Sequence, residues 1–600
     1  MVRFRDLIIW CTCLLVSCSL LIIGGMQLDY INSQRQQMRL ISNEPLENAP
    51  PSLAFATVAM GAFRGLVVDI LWMRAERLKE EGQFFDAKQL ADWITKLQPR
   101  FASVWDFQSW NMAYNISVAI PSTQPEERWR WVKNGYELLR DQGIPLNPKS
   151  ILLYRQLAFI FQHKIGAVSD DAHKYYKLQL AEMMEPLLGP ADNEYFEALA
   201  KAPQSWEEIR RDANVAGLID ELASADKTLA QAGPDDFVNQ YLSLRQNPDR
   251  FAAAAFNVID SHVGAAALKK FDTFAKAYYL RHVWKLDPVL MEELNKTYGP
   301  VDWNDPNKSL PLDWRHPDSH AIYWAVKGLR VAGKKSADKA GEDQYSIDEI
   351  NTDRIVNQSL QSLFRAGKIY IWNEPAKGGP AVPSHGSPGL SKDIFLRPDL
   401  RMFEPYNRHV LKVIEKYTDP NEQQLNSHQI GHRNMLENAV LSFYQSGHER
   451  QAGRIYTQLR NLYPQPEFEV PLVVFARNRF LEELKSLHIL NAREIVPMLL
   501  RESYFYYAMR DDNEATAREK LAQEVWDFYM GPQDAEYRID LPPMPRLRYV
   551  ALIDFLNDQQ YLPSIRMALR NRIKIERPEL FEQLMQEEKR LQEELKQSKP

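Results

Sequence analysis

Six hundred residues, 45% of them apolar and 25% charged, are too many for one small core and too apolar for a disordered chain, so two or more packed units are expected. A formal net charge of −6 leaves no basic footprint for nucleic acid. The three cysteines, Cys11, Cys13 and Cys18, all fall near the N-terminus, which excludes a disulfide framework, a cysteine metal site and a cysteine nucleophile from the rest of the chain.

Residues 1–6 form a short tail carrying Arg3 and Arg5. Behind it lies Leu7–Met26, twenty residues without a charge. At 1.5 Å per residue that run reaches roughly 30 Å, the thickness of a bilayer's hydrocarbon core, and predicts one transmembrane helix. The arginines on its N-terminal side place the tail in the cytoplasm and the body across the inner membrane, in the periplasm of a bacterium. A cleaved signal peptide would have a shorter apolar run, whereas this one continues through Ile22 and Ile23. Leu15-Val16-Ser17-Cys18 resembles a lipobox, which would make Cys18 a lipidated first residue, yet the chain stays apolar beyond it. Residues 27–52, with Asn48-Ala-Pro-Pro-Ser52, read as a linker. Leu53–Met73 is apolar again but carries Arg64 and Asp69 near its middle, which makes a second span costly. It reads as the buried first helix of the body.

The stretch Gly82–Trp105 then shows a helix–turn–helix pattern. Gly82 falls at a turn, Phe84 opens the apolar seam, and Ala87 is small where two helices cross. Ile94 and Leu97 continue the stripe at helical spacing, Pro99 stops the helix, and Trp105 falls on the next one. Ala91 departs from this pattern, being small where a large residue is usual. The same order recurs in Arg433–Pro464: Leu436 and Phe443, Gly447 at the turn, Ala452 at the crossing, Tyr456 and Leu459 on the second helix, Pro464 at its end. Weaker echoes cover Tyr504–Tyr529 and Ile151–Leu188, and Arg546–Ile575 fits a helix pair. These units resemble the tetratricopeptide (TPR) repeat of about 34 residues. The resemblance implies stacked helix pairs that leave a concave groove for peptides or partner proteins.

Between the repeats the chain also reads as helical. Phe251–Trp284 has apolar residues at three and four spacing, and His320–Leu329 and Ile355–Ile369 form another pair. No long β-branched alternation occurs, so no large sheet is expected. Tyr298–Ser319 is a loop with two similar turns, Pro300-Val-Asp-Trp303 and Pro311-Leu-Asp-Trp314. Ala332–Tyr345 and Ala376–Lys392 read as loops by composition. The expected fold is therefore all-α: a TPR-like helix-pair solenoid plus one N-terminal transmembrane helix. Its parts are an N-terminal block over 53–200, a middle helical region over 201–330, a helix pair with loops over 331–395, a C-terminal block over 396–577, and a charged helical tail over 578–600. That tail is too short for a coiled coil despite its Leu580, Leu584, Leu591 and Leu595 stripe.

Two regions are candidate sites. Trp93, Trp105, Trp110, Trp129 and Trp131, with Arg128, Arg130 and Lys133, are either a partner-binding platform or the aromatic filling between helices. Asp302, Trp303, Asp313, Trp314, His316 and His320 could line a ligand pocket if they converge. The plainer reading makes these residues turns and helix caps, with Asp318 or Ser319 capping the helix that follows and the tryptophans plugging the loop. The pairs His316/His320 and His428/His432 have the i, i+4 spacing of zinc ligands but lack the accompanying glutamate, and read as ordinary histidines. No phosphate-binding loop, dinucleotide fingerprint or nucleophile elbow occurs. Neither a metal nor another cofactor is expected, and no enzyme is indicated. The sequence points to a membrane-anchored interaction or assembly scaffold with protein partners in its groove. The alternatives are an envelope-polymer enzyme or ligand-binding protein acting at Asp302–His320, or an accessory subunit of a membrane transporter.

Overall fold

The computed structural model describes Val16 and residues 63–189, 192–303, 305–336, 345–375, 390–417, 427–446, 448–485, 489–530, 541–558 and 561–597. Apart from Val16, the expected transmembrane segment Leu7–Met26 lies outside these residues, as do Cys18, the linker, Gly447 and most of the two composition-defined loops. Among the described residues no helix is long and apolar enough to cross a membrane.

Among the described residues the chain is all-α apart from two small antiparallel hairpins. The first pairs β1 (Val301–Asp302) with β2 (Asp305–Ser309), and the second pairs β3 (Lys368–Pro375) with β4 (Leu390–Arg397). The helix expected to run to Ile369 stops at Ala366. The reason lies downstream: Lys368–Pro375 finds ladder partners in Leu390–Arg397, eight pairs in register from Lys368↔Arg397 to Pro375↔Leu390.

Consecutive helices pack as pairs. Phe63–Glu80 packs on Phe84–Leu97 through a turn at Gly82, whose φ of +76° is one that residues with a Cβ rarely adopt. Ala87 and Ile94 are fully buried at this crossing, and the helix ends before Pro99. Ser427–Gln445 packs on Glu449–Leu462 in the same way, with Ala452 and Leu459 fully buried, Tyr456 nearly so, and Pro464 just past the end. Ile489–Ala508 pairs with Asp512–Met530, and Ile151–Phe159 leads by a π-helical turn, Ile160–Gly166, towards His173–Met184. Pro317–Ser336 begins earlier than expected. His316, not Asp318 or Ser319, stands before its first residue, and the Ser319 hydroxyl donates back to the Asp313 carbonyl at 2.7 Å.

One large apolar core runs from Trp105 to Met498, so the middle helices belong to the same packed body as the first block. A second core spans Ile495 to Leu584, and it takes in the tail: Leu584 is buried and Leu580 and Leu591 pack against it. A small third core joins the first helix pair, from Val68 to Phe107.

Charge is buried inside the second core as well. Glu502 lies on the Ile489–Ala508 helix, and burial raises its carboxyl to about 7, while Arg518, 3.1 Å away, pulls it back. A raised acid costs stability once ionised: the penalty is absent below the unfolded value near 4.5 and fully present above 7. The shift amounts to about 3 kcal/mol. Glu502→Gln is therefore expected to gain on the native chain by about that much between pH 4.5 and pH 8. Denaturant titrations of both chains at each pH measure it, and parallel curves would refute it.

Candidate functional site

The tryptophan-rich region divides sharply. Trp105 and Trp129 are core residues. The Trp105 indole donates to the Pro99 carbonyl at 2.8 Å, and Trp129 stacks on Tyr176 with ring centres 5.8 Å apart. Arg128 is buried too, donating to the Ile120 carbonyl (2.7 Å) and to Asp170 (3.1 Å). Trp105, Trp129 and Arg128 are only 3%, 7% and 6% exposed, so they offer a partner almost no surface. Trp93 is 47% exposed, Trp110 is at the surface and stacks on Tyr114 (4.1 Å), and Trp131 meets the exposed Phe85 edge-on at 5.5 Å. Arg130 and Lys133 pair within their own helix with Glu127 and Glu137.

The Asp302–His320 loop is likewise split. His316 and His320 are fully buried. His316 faces the Ala366 carbonyl (Nε2, 3.1 Å) and Asp318 (Nδ1, 3.4 Å), and His320 contacts the Trp314 carbonyl (Nε2, 2.9 Å) and stacks on Phe161 at 4.9 Å. Burial lowers both imidazoles from their ordinary value, His316 against the opposing pull of Asp318 and His320 to about 4. Trp314 is also fully buried, its indole donating to Asn295 Oδ1 at 3.0 Å. Trp303 sits half-buried, edge-on to His448 at 5.0 Å. The six residues thus do not converge on one site. His316 stands immediately before the Pro317–Ser336 helix and His320 in its first turn, and both turn towards the interior. Among the described residues no group of three or more His, Cys, Asp or Glu side chains is placed to hold a metal ion.

Asp313 and Trp314 nevertheless contribute to a cavity of about 470 Å³, within the range of small-molecule sites. The same cavity is lined by Glu185, Arg315, Lys368, Asp399, Arg401 and Asp554. Two of its walls repeat one local device. In Asp313-Trp-Arg315 the carboxylate accepts from the arginine two residues on, through Nε (3.0 Å), Nη2 (2.8 Å) and the backbone N–H (3.0 Å). In Asp399-Leu-Arg401 the same three bonds measure 2.8, 2.7 and 3.2 Å. Each pair holds its guanidinium flat, and the neighbouring carboxylate raises both arginines further above their ordinary value against the cost of burial. The remaining carboxylates are also taken. Glu185 accepts from Arg315 Nη1 at 3.0 Å, and Asp554 from Arg397 Nη2 at 2.8 Å. Asp302 adds to the negative field at Arg401.

Glu185, Lys368, Asp399, Arg401 and Asp554 come from four separate segments, so spacing does not single them out as a group. The one signal in the sequence is the Asp-x-Arg triplet, which occurs just behind a proline at both 313–315 and 399–401.

No protein-family model matches the chain, and no curated protein matches it in a search by sequence.

Proposed function

We propose that this chain is a membrane-anchored scaffold, held by Leu7–Met26 with its body in the bacterial periplasm, that binds a protein partner through a TPR-like stack of helix pairs. The helix pairing at Gly82 and at Ala452 supports the repeat reading. The observation that carries the binding role is on the first described helix. Phe63–Glu80 buries Val68 and Ala75 against its neighbour yet holds Leu66, Ile70 and Met73 outward at 59%, 53% and 65% exposure. These three stand at i, i+4 and i+7, the spacing by which a helix seats its anchors in an apolar groove of another protein. A run of large apolar residues on one face is also what an isolated soluble helix pair avoids. The occupant is accordingly a protein with such a groove at the membrane, since only residues 27–62 separate the uncharged run from this helix in the sequence. The extended Trp93–Lys133 platform contracts to its surface members, Trp93, Trp110 and Trp131.

A photo-crosslinker at position 73 of the full-length chain in cells tests this. The expected product is one discrete protein adduct, lost on Leu66→Arg with Ile70→Arg, and the purified adduct partner binds the native chain but not that variant. Adducts with lipid alone, or no adduct, would refute it. Alkaline washing of membranes tests the anchor: the full chain stays in the pellet and a chain lacking residues 7–26 leaves it.

The second reading, a ligand-binding protein at the Asp302–His320 loop, keeps one observation in its favour, the cavity against which Asp313 and Trp314 lie.

A further inference from the structure

In the cavity between the two Asp-x-Arg units, one cation, Lys368, makes no ion pair among the described residues. Lys368 opens strand β3, in register with Arg397 on β4, so the two side chains leave the same face of the hairpin. Arg397 reaches Asp554 and the Val550 carbonyl. The Lys368 side chain makes no hydrogen bond or ion pair among the described residues. Arg401 commits Nε and Nη2 to Asp399, which leaves its Nη1 without a hydrogen bond among those residues. The two cations feel one another. Burial lowers the Lys368 ammonium from its usual range, Asp554 and Asp399 oppose that, and Arg501 and Arg401 add to it.

Among the described residues each carboxylate lining the cavity accepts from an arginine, and Asp399 and Asp554 act on Lys368 only through their field, without an ion pair. Beside them the wall is apolar, formed by Leu188, Phe196, Trp314, Ile369 and Met402. Two cationic donors lining one cavity, one of them a partly desolvated ammonium, beside an apolar wall describe the complement of one kind of molecule.

We propose that this cavity binds a small organic anion, its carboxylate or phosphate seated between Lys368 Nζ and Arg401 Nη1 and its apolar body against Phe196 and Met402. The inference does not rest on the scaffold reading, and its test reads a small molecule, not a protein partner. The same chemistry is offered by a soluble phosphate ester and by an anionic lipid headgroup.

The experiment is calorimetric titration of the purified full-length chain in neutral detergent with phenyl phosphate, with dihexanoyl phosphatidic acid, and with phenol as the uncharged analogue. Expected is one site for at least one of the two phosphates and none for phenol. Lys368→Met weakens it at least tenfold and Lys368→Arg retains it, with melting temperatures of both variants close to the native one. Tighter binding of the lipid assigns the ligand to the membrane, and equal or weaker binding assigns it to a soluble anion. A second measurement needs only the native chain: reductive methylation mapped by mass spectrometry, in which the better-binding phosphate protects Lys368 but not exposed Lys201. Absence of binding by both phosphates, equal binding by Lys368→Met, or methylation of Lys368 unchanged by ligand would each overturn the proposal.

Discussion

Replacing Asp170 by alanine is expected to destabilise the chain by about 3–5 kcal/mol, because it strands two buried cations at once. Asp170 accepts from Arg128 (3.1 Å), from Lys164, from the Tyr176 hydroxyl (3.3 Å) and from the Ala172 backbone N–H (2.8 Å). All three charged side chains are less than 10% exposed. Taken as a unit the triad is close to neutral in stability, since burial works against each charge while the partners work for it. Removing one member is different, because the desolvation of the others stays and the compensation goes. Asp170→Asn keeps an acceptor and loses the charge, and is expected to fall between. The acid side follows from the same geometry. Burial pushes the Asp170 carboxyl up, but the attraction of Lys164 and the hydrogen bonds from Lys164 and Ala172 outweigh that and hold it below the usual carboxylate value of 3.8. A depressed acid contributes stability that is complete above its unfolded value and lost as pH falls through the lower folded one. Unfolding followed by tryptophan fluorescence, with Trp129 in this core, measures both. A loss below about 1 kcal/mol, the level of an exposed ion pair, would show that the triad is not the buried unit described.

Trp314→Ala is expected to cost a similar amount, about 3–5 kcal/mol, the range for removing a fully buried aromatic. Trp314 has no exposed surface and lies edge-on to Tyr323 and His320, each 6.2 Å away. Its indole N–H shares Asn295 Oδ1 with the Leu312 backbone N–H. Trp314→Phe keeps most of the apolar contact and loses that hydrogen bond, for about 1 kcal/mol plus a small void. Because Trp314 also forms a wall of the cavity, Trp314→Ala should abolish phosphate binding in the same titration that tests Lys368. Trp303→Ala serves as the comparison. It is half-buried, so its loss should be clearly smaller than that of Trp314. Equal costs for the two tryptophans would refute the difference in packing.

The helix-and-turn alternation was readable because it is local. Gly82 takes a left-handed turn, Pro99 and Pro464 follow helix ends, and Ala87 and Ala452 are buried at helix crossings, as their spacing predicts. The β3–β4 hairpin was not readable. Its first residues continue the apolar pattern of the preceding helix, and only pairing with residues more than twenty positions away turns them into a strand. Trp105 and Trp129 could have served as surface or core, since the aromatic payload suits either, and neighbouring helices decided for core.

The sequence by itself determined the all-α class and the helix pairs at Gly82 and Ala452 with their stops, since each depends on residues within a few turns of one another. Tertiary structure alone decided which of the candidate residues share a site. It sent His316 and His320 inward, left Leu66, Ile70 and Met73 outward, and brought Glu185, Asp313, Lys368, Arg401 and Asp554 around one cavity. The physical reason is that helical periodicity records which face a residue occupies but not what lies opposite that face. Whether a charge meets a counter-ion from a distant element leaves no local trace in the sequence, and Lys368, which makes no ion pair among the described residues, shows this.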